Sequence, residues 1–318
     1  MVYGPGVLGA DRLEAWVEES LADSPLYLRL GRVVVGDRHL LDLAGNASPG
    51  QPPLLPLFAA VHFLLLTGSD HPLAAYYPSV GGGSPPDDDV GAAFSDFCKR
   101  NRAELLDLGR TRLVQTNEAA RAAVLVLGLG VVAARIGGPV GVIELGASAG
   151  LLLRWDRYRY EYGSAGALGD AGSLVKISCV PRGPTPPLVP AVMPEAAWRV
   201  GIDLDPVDLS DPLAARWLEA LVWPDQDQRR HRLLAAIDVA LSHPVGVIEG
   251  DAVAELPGLM SQCPAETPLC VVHSMTLNQF SPESRDGLER VLSGAGRPVT
   301  RLWMEWIDAP GPVLTLVE

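Results

Sequence analysis

Pro139-Val140-Gly141-Val142-Ile143-Glu144-Leu145-Gly146-Ala147-Ser148-Ala149-Gly150 is the stretch that decides the fold. Val140 to Leu145 is a short, apolar, β-branched run, the composition of a buried strand. The five residues after it are all small, and Leu151-Leu152-Leu153 can then open a helix. Strand, glycine turn and helix in that order bring backbone N–H groups and a helix N-terminus against a ligand. Glu144, at the end of the strand, repels a phosphate and accepts hydrogen bonds from a cationic or hydroxylated ligand. The bland alternative is a tight strand-to-helix turn that binds nothing.

Working outward, strands alternate with helices after Gly150. Trp198-Arg199-Val200-Gly201-Ile202-Asp203-Leu204-Asp205-Pro206 predicts a strand ending in acids. Val245-Gly246-Val247-Ile248-Glu249-Gly250-Asp251-Ala252 predicts another, and Leu269-Cys270-Val271-Val272-His273 a fourth. Residues 300–307 and 313–317 supply a fifth and a sixth. Asp211 caps a helix with Pro212 at its first position, and Ser281-Pro282-Glu283 starts another. This alternation implies a parallel sheet covered on both faces. Before Val140 the pattern is helical. Leu13, Trp16, Val17 and Leu21 share one helix face, residues 54–66 form an apolar helix, and Phe94, Phe97, Cys98, Leu105 and Leu108 make a third stripe. Thr116 can N-cap a helix over 117–135, with Glu118 in its first turn. Between the early helices lies His71-Pro72-Leu73-Ala74-Ala75-Tyr76-Tyr77-Pro78-Ser79, then three glycines and the solvated Asp87-Asp88-Asp89.

Gly146-Ala147-Ser148-Ala149-Gly150 also fits the G-x-S-x-G nucleophile elbow, and Asp251 and His273 follow in the order a triad requires. The helical region before Val140 lacks the earlier strands that a hydrolase sheet needs. A nicotinamide-binding turn needs G-x-G-x-x-G, which Gly146-x-x-x-Gly150 does not give. The acidic strand ends Glu144, Asp203 with Asp205, and Asp251 lie where open α/β sheets bind ligands.

On these residues the chain resembles the class I S-adenosylmethionine-dependent methyltransferases. Glu144 to Gly150 looks like their cofactor turn. Gly201 to Pro206 looks like their second-strand motif, whose acid holds the ribose hydroxyls. Gly250-Asp251-Ala252 looks like their third, whose acid receives the adenine amino group, and Val272 to Met275 with Phe280 to Glu283 looks like their fourth. The resemblance implies a cofactor site of Glu144, Gly146, Ala147, Ser148, Gly150, Asp203, Asp205, Asp251 and Ala252. In an alternative, Tyr158-Arg159-Tyr160-Glu161-Tyr162 is the second strand and Glu161 holds the ribose. Ser148 replaces the usual central glycine, and at most one strand remains for the antiparallel hairpin that usually ends such sheets. Over nearly its whole length the chain also resembles an uncharacterised bacterial domain-of-unknown-function family regarded as methyltransferase-like. Residues 71–79, 114–121, 144–163 and 201–226 carry that resemblance.

The 318 residues allow one large or two modest domains, and 48% hydrophobic with 20% charged residues suits an ordinary globular protein. A net charge of −13 disfavours a nucleic-acid partner. Four cysteines and six histidines show no metal-ligand spacing, so no metal is expected. Met1 to Gly6 lacks the start of a signal peptide. Residues 54–66 and 122–134 are too short to span about 30 Å of hydrocarbon, which points away from a membrane and toward the cytoplasm. The expectation is thus an α/β, Rossmann-like, mostly parallel sheet over 111–318, with a helical N-terminal region over 1–110 supplying a lid and acceptor pocket. The expected function is methyl transfer from S-adenosylmethionine to a small molecule, with His273, Tyr76 or Tyr77 orienting or deprotonating the acceptor. A non-catalytic scaffold of the same fold and a serine hydrolase are the alternatives.

Overall fold

The structure is a computed structural model and describes residues 10–182, 184–305 and 313–317. The expectations for Met1 to Gly6 and for the end of the fifth strand at residues 306–307 lie outside the described residues. Six helices come first: α1 (Ala10–Ser20), α2 (Pro25–Val35), α3 (Arg38–Ala44), α4 (Leu55–Leu66), α5 (Val90–Arg100) and α6 (Arg102–Thr111). Then follow α7 (Ala122–Ile136), β1 (Val140–Leu145), β2 (Arg159–Glu161), β3 (Ala167–Leu168), β4 (Lys176–Ser178) and β5 (Ala196–Asp203). The chain continues with α8 (Pro212–Ala220), α9 (Asp227–Ser242), β6 (Val247–Glu249), α10 (Ala252–Gln262), β7 (Leu269–Ser274), α11 (Pro282–Ser293), β8 (Val299–Glu305) and β9 (Val313–Val317).

The chain divides into two compact units. The first runs up to Thr116 and takes back Asp211–His231; the second holds Asn117–Ser210 and everything from Arg232 on. A single cut at 110/111 therefore does not describe it, because α8 belongs with the early helices. Trp217 on α8 packs edge-on against Phe63 at 5.8 Å and donates its indole N–H to the Leu113 carbonyl at 2.8 Å. Local signals start these helices. Ser24 accepts from the Tyr27 N–H and Pro25 sits in the first turn of α2; Asp211 caps α8 in the same way. The third stripe is two helices, α5 and α6, parted at Asn101.

In the second unit the main sheet has the order β6-β5-β1-β7-β8-β9. All neighbours are parallel except β8 and β9. No strand precedes β1 among the described residues. All six residues of β1 are buried, as its β-branched run requires. The chain leaves β1 toward β5 and β6 on one side and returns to lay β7 and β8 on the other. The switch point of the sheet is therefore the crevice between β1 and β7.

Between β1 and β5 lies an insertion, and it corrects two expectations. Leu151 to Leu153 do not open an α-helix. Leu152–Arg157 is a short 3-10 helix with a break at Arg154 (φ −108°, ψ 24°). Nor does the tyrosine run enter the main sheet, since β2 pairs only with β3 and β4 in a separate three-stranded sheet. Tyr158, Tyr160 and Tyr162 are fully buried, and their hydroxyls donate to the carbonyls of Leu151, Trp155 and Ala123. Their alternation marks an inward face rather than a half-exposed one.

The apolar helix before β1 starts later than the 117–135 that the sequence suggests. With the 3-10 turn Ala119–Arg121 it runs for 18 residues, Ala119–Ile136, enough by length and composition alone to cross a membrane, and half of it is buried within the protein. Its Gly128 packs so closely on Leu302 of β8 that an added Cβ would lie 2.5 Å from a leucine methyl. The cap is also not Thr116: the Glu118 carboxylate accepts the Ala120 N–H at 2.9 Å.

Candidate functional site

Gly146 to Gly150 leave the carboxyl end of β1 in a turn that needs unusual backbone. Gly146 has φ +69°, Ser148 +49° and Gly150 +64°. A Cβ on Gly146 would lie 2.5 Å from the Thr276 hydroxyl, so only glycine fits there. The N–H groups of the turn are all engaged with the protein itself. Gly146 and Ala147 donate to the Ile202 carbonyl at 2.9 and 3.1 Å, and Gly150 to that of Ala147 at 2.7 Å. Ser148 donates to Asp203 Oδ2 at 2.8 Å and Ala149 to Asn117 Oδ1 at 3.3 Å. The expected cradle of free N–H groups is absent because the end of β5, Asn117 and the turn itself have taken them.

The helix N-terminus expected beneath the turn is replaced by Arg154. This buried guanidinium donates to the carbonyls of Gly150 at 2.5 Å, Ala149 at 3.3 Å and His243 at 3.0 Å. Its fixed charge stands where the helix dipole would.

Glu144 is buried, and its Oε2 has no hydrogen-bond partner. Burial pushes its carboxyl up to about 8; the Arg121 charge opposes that, Asp203 adds to it, and Arg154 opposes it. Arg121 donates to the carbonyl and hydroxyl of Ser274 at the end of β7, at 2.7 and 3.2 Å. Thr276 closes the same crevice, its hydroxyl donating to the Leu145 carbonyl at 3.1 Å. The switch point thus gathers a buried carboxyl, two guanidinium groups and the half-buried Asp203.

The other residues named from sequence fall in several places. Asp203 ends β5, and its two oxygens accept the N–H groups of Ser148 and Asp205, tying two loops together. Burial raises its carboxyl despite those bonds. Asp205 is exposed one step further along. Asp251 is exposed and caps α10, accepting from Val253 and Ala254 at 2.9 Å each, and Ala252 is the buried first residue of that helix. Ala147 packs against the bare backbone of Gly201. Glu161 is not at this site: it sits on the small sheet with its side chain 57% exposed, 3.9 Å from Arg159. Tyr76 and Tyr77 belong to the first unit, where Tyr76 donates to Asp87 at 2.9 Å and Tyr77 is wholly buried.

His273 does not have the freedom of an acid–base residue. It is fully buried, and both ring nitrogens are committed. Arg301 Nε donates to its Nε2 at 3.0 Å, which fixes Nε2 as the acceptor and Nδ1–H as the donor to Glu305 Oε1 at 2.7 Å. Burial and then, against the Glu305 hydrogen bond, the Arg301 charge hold the ring below its ordinary range, so it is neutral. Glu305 Oε1 also accepts the N–H groups of Thr276 and Leu277 at 2.9 and 3.2 Å. The histidine belongs to the bracket that seats Thr276.

Asn117, Arg121, Arg154, Thr276 and Glu305 are the functional neighbours that the sequence did not single out. Asn117 was legible only as part of Gln115-Thr116-Asn117-Glu118, and it clasps the turn, its amide donating to Ser148 Oγ at 2.9 Å. Two hollows of about 420 and 940 Å³ lie elsewhere in this unit, lined by residues such as Val131, Arg135, Leu188 and Leu316, and include none of the turn.

No curated protein and no solved structure matches the chain at a significant level. A family model described as an uncharacterised protein conserved in bacteria, DUF2332, matches residues 11–316, and the chain belongs to that family.

Proposed function

We propose that the sheet unit binds S-adenosylmethionine and directs methyl transfer to a small molecule. The observation that carries this is Glu144, a buried carboxyl with an unpartnered oxygen at the switch point of a parallel sheet. A carboxyl there suits a cation or a donor of hydrogen bonds. A turn whose N–H groups are all engaged offers nothing to a phosphate. A ligand with a sulfonium, an ammonium and ribose hydroxyls but no phosphate fits both conditions, whereas the pyrophosphate of a dinucleotide fails the second. The sheet order and its single antiparallel last strand support the same reading, as do Asp205 and Asp251 exposed at the next two strand ends.

When bound, the cofactor supplies a methyl group on its sulfonium. The protein's part is then in-line placement and exclusion of water more than covalent chemistry. Glu144 offers its unpartnered oxygen to a hydrogen-bond donor of the cofactor, Asn117 and Asp203 hold the turn, and Thr276 keeps the crevice shaped. The scaffold reading has one observation of its own: both Asp203 oxygens already accept backbone N–H groups. A hydrolase finds no support, because His273 has no free nitrogen with which to take a proton from Ser148.

Thermal melts with S-adenosylmethionine, its demethylated product and NAD test the proposal. A native-state ligand at a hundredfold excess over its dissociation constant adds roughly 2.7 kcal/mol, a shift of several degrees. The first two compounds should raise the melting temperature and NAD should not. No shift at millimolar concentration from folded protein would leave the scaffold; a shift with NAD alone would move the assignment to a dehydrogenase.

A further inference from the structure

The two edges of the main sheet differ. β6, at one end, is three residues long and closes on Glu249. A short strand with a terminal charge is a poor template for another chain. β9, at the other end, is Val313-Leu314-Thr315-Leu316-Val317, five residues without a charge or a proline. It pairs with β8 on one side, and among the described residues no strand pairs with its outer side. Val313 and Val317 are 48% and 50% exposed.

The order of these five residues reads the same in both directions. A two-fold axis through Thr315 therefore sets like against like when β9 meets the β9 of a second copy antiparallel. Val313 falls opposite the partner's Val317, Leu314 opposite the partner's Leu316, and Thr315 opposite the partner's Thr315. Opposed residues of an antiparallel pair share one face of the sheet, and β-branched and apolar pairs there are favourable. An isologous contact between copies requires this self-match.

The face beside the strand extends the contact. Leu314 and Leu316, with Leu302, lie on the side that α7 covers, and together with Leu127, Val131 and Leu188 they line the hollow of about 420 Å³. Leu188 is 78% exposed. The two-fold puts both copies of α7 on the same face, flanking the paired strands. Three strand spacings of about 4.8 Å hold the two β8 strands roughly 14 Å apart, a width that leucine side chains from both copies close. One short ladder and one leucine cluster fall below the ~1,200 Å² of a stable complex, so the association is weak.

We infer that β9 is a self-pairing edge. Two copies of the chain join their six-stranded sheets into one, antiparallel about Thr315, with a dissociation constant on the order of 100 µM. This association is independent of any ligand at the end of β1.

Sedimentation of the full chain tests it. The protein should be monomeric at about 1 µM and largely dimeric at about 300 µM. Val313→Lys alone and Val317→Glu alone should each raise the dissociation constant about tenfold, because a charge on an edge strand blocks pairing. The two changes together should restore it to within about threefold, since each introduced lysine then faces an introduced glutamate of the partner. On β8 the same charges face Glu305 and Arg301, of opposite sign, and a melting temperature at 1 µM close to the parent's shows the fold intact. Thr315→Cys should cross-link to its own copy under mild oxidation. Val313→Cys should not, because the two thiols would lie about four residues or ~14 Å apart along the strands. The parent, whose Cys98, Cys263 and Cys270 are buried, is the control. A monomer at 300 µM, a dimer indifferent to the β9 changes, a double variant no tighter than the singles, equal cross-linking at both positions, or a monomer that floats with phosphatidylcholine vesicles through this face would each overturn the inference.

Discussion

Ser148 carries the burden of two incompatible chemistries, and its surroundings choose between them. Its φ of +49° is one that a nucleophile elbow would share, but its hydroxyl accepts from the Asn117 amide rather than facing an imidazole. Side-chain size therefore matters there more than the hydroxyl. Ser148→Ala should cost about 1 kcal/mol for one lost hydrogen bond and leave cofactor-induced stabilisation intact, whereas Ser148→Leu should abolish it. Labelling of Ser148 by a fluorophosphonate, with activity lost in step, would end the methyltransferase proposal. Glu144 gives a second prediction at this scale. Its carboxyl titrates near 8 in the folded protein against 4.5 in the unfolded chain. Between those values the native state holds a proton that the unfolded state has lost. Its contribution is full below pH 4.5 and is lost as pH rises through about 8. Glu144→Gln keeps the neutral form, so its stability relative to the parent should climb by up to ~1.4 kcal/mol per pH unit across that window. Urea melts at several pH values measure it, and parallel pH profiles for the two proteins would refute the assignment.

Elements were legible where side-chain pattern alone decides them, and illegible where distant groups do. The β-branched run of β1 and the caps at Asp211 and Ser281 need only their neighbours, and each element forms where expected. The helix after Gly150 fails to form because Arg154 takes the turn's carbonyls, a partner that local sequence does not announce. His273 looked catalytic because it ends a strand; only the positions of Arg301 and Glu305, 28 and 32 residues away, reveal a locked ring. That bracket makes a prediction about the loop after β7. Glu305 accepts from His273, Thr276 and Leu277 while 2% exposed. Glu305→Ala should cost about 1–3 kcal/mol for each buried donor it leaves unpaired. Amide exchange at Thr276 and Leu277 should accelerate even in conditions where the core of β1 stays protected. Unchanged exchange there would mean that the loop is held by Thr276 and Leu145 alone.

At the scale of the molecule, two features were visible in composition and one was not. The net charge of −13 disfavours a phosphate-rich partner. The alternation after residue 140 foretold the sheet. The return of Asp211–His231 to the first unit was not foreseen, because helix caps and stripes specify a helix and not its neighbour. That return predicts the behaviour of a truncated chain. The first unit is completed from far along the sequence: His62 Nδ1 lies 2.9 Å from the Ala220 carbonyl, Ser24 donates to Asp225, and Trp217 packs on Phe63. A fragment of residues 111–318 keeps α8 but loses every one of those partners. Trp217, Leu218 and Val222, each under 5% exposed in the whole chain, would face water at about 1.5–3 kcal/mol for each large side chain. The fragment should bind hydrophobic dyes, associate at micromolar concentration and melt well below the full chain. A second fragment of 111–318 with residues 211–231 replaced by a short Gly/Ser linker removes the exposed helix and should be the better behaved of the two. If the fragment that retains α8 proves the more stable and stays monomeric, the division of the chain described above is wrong.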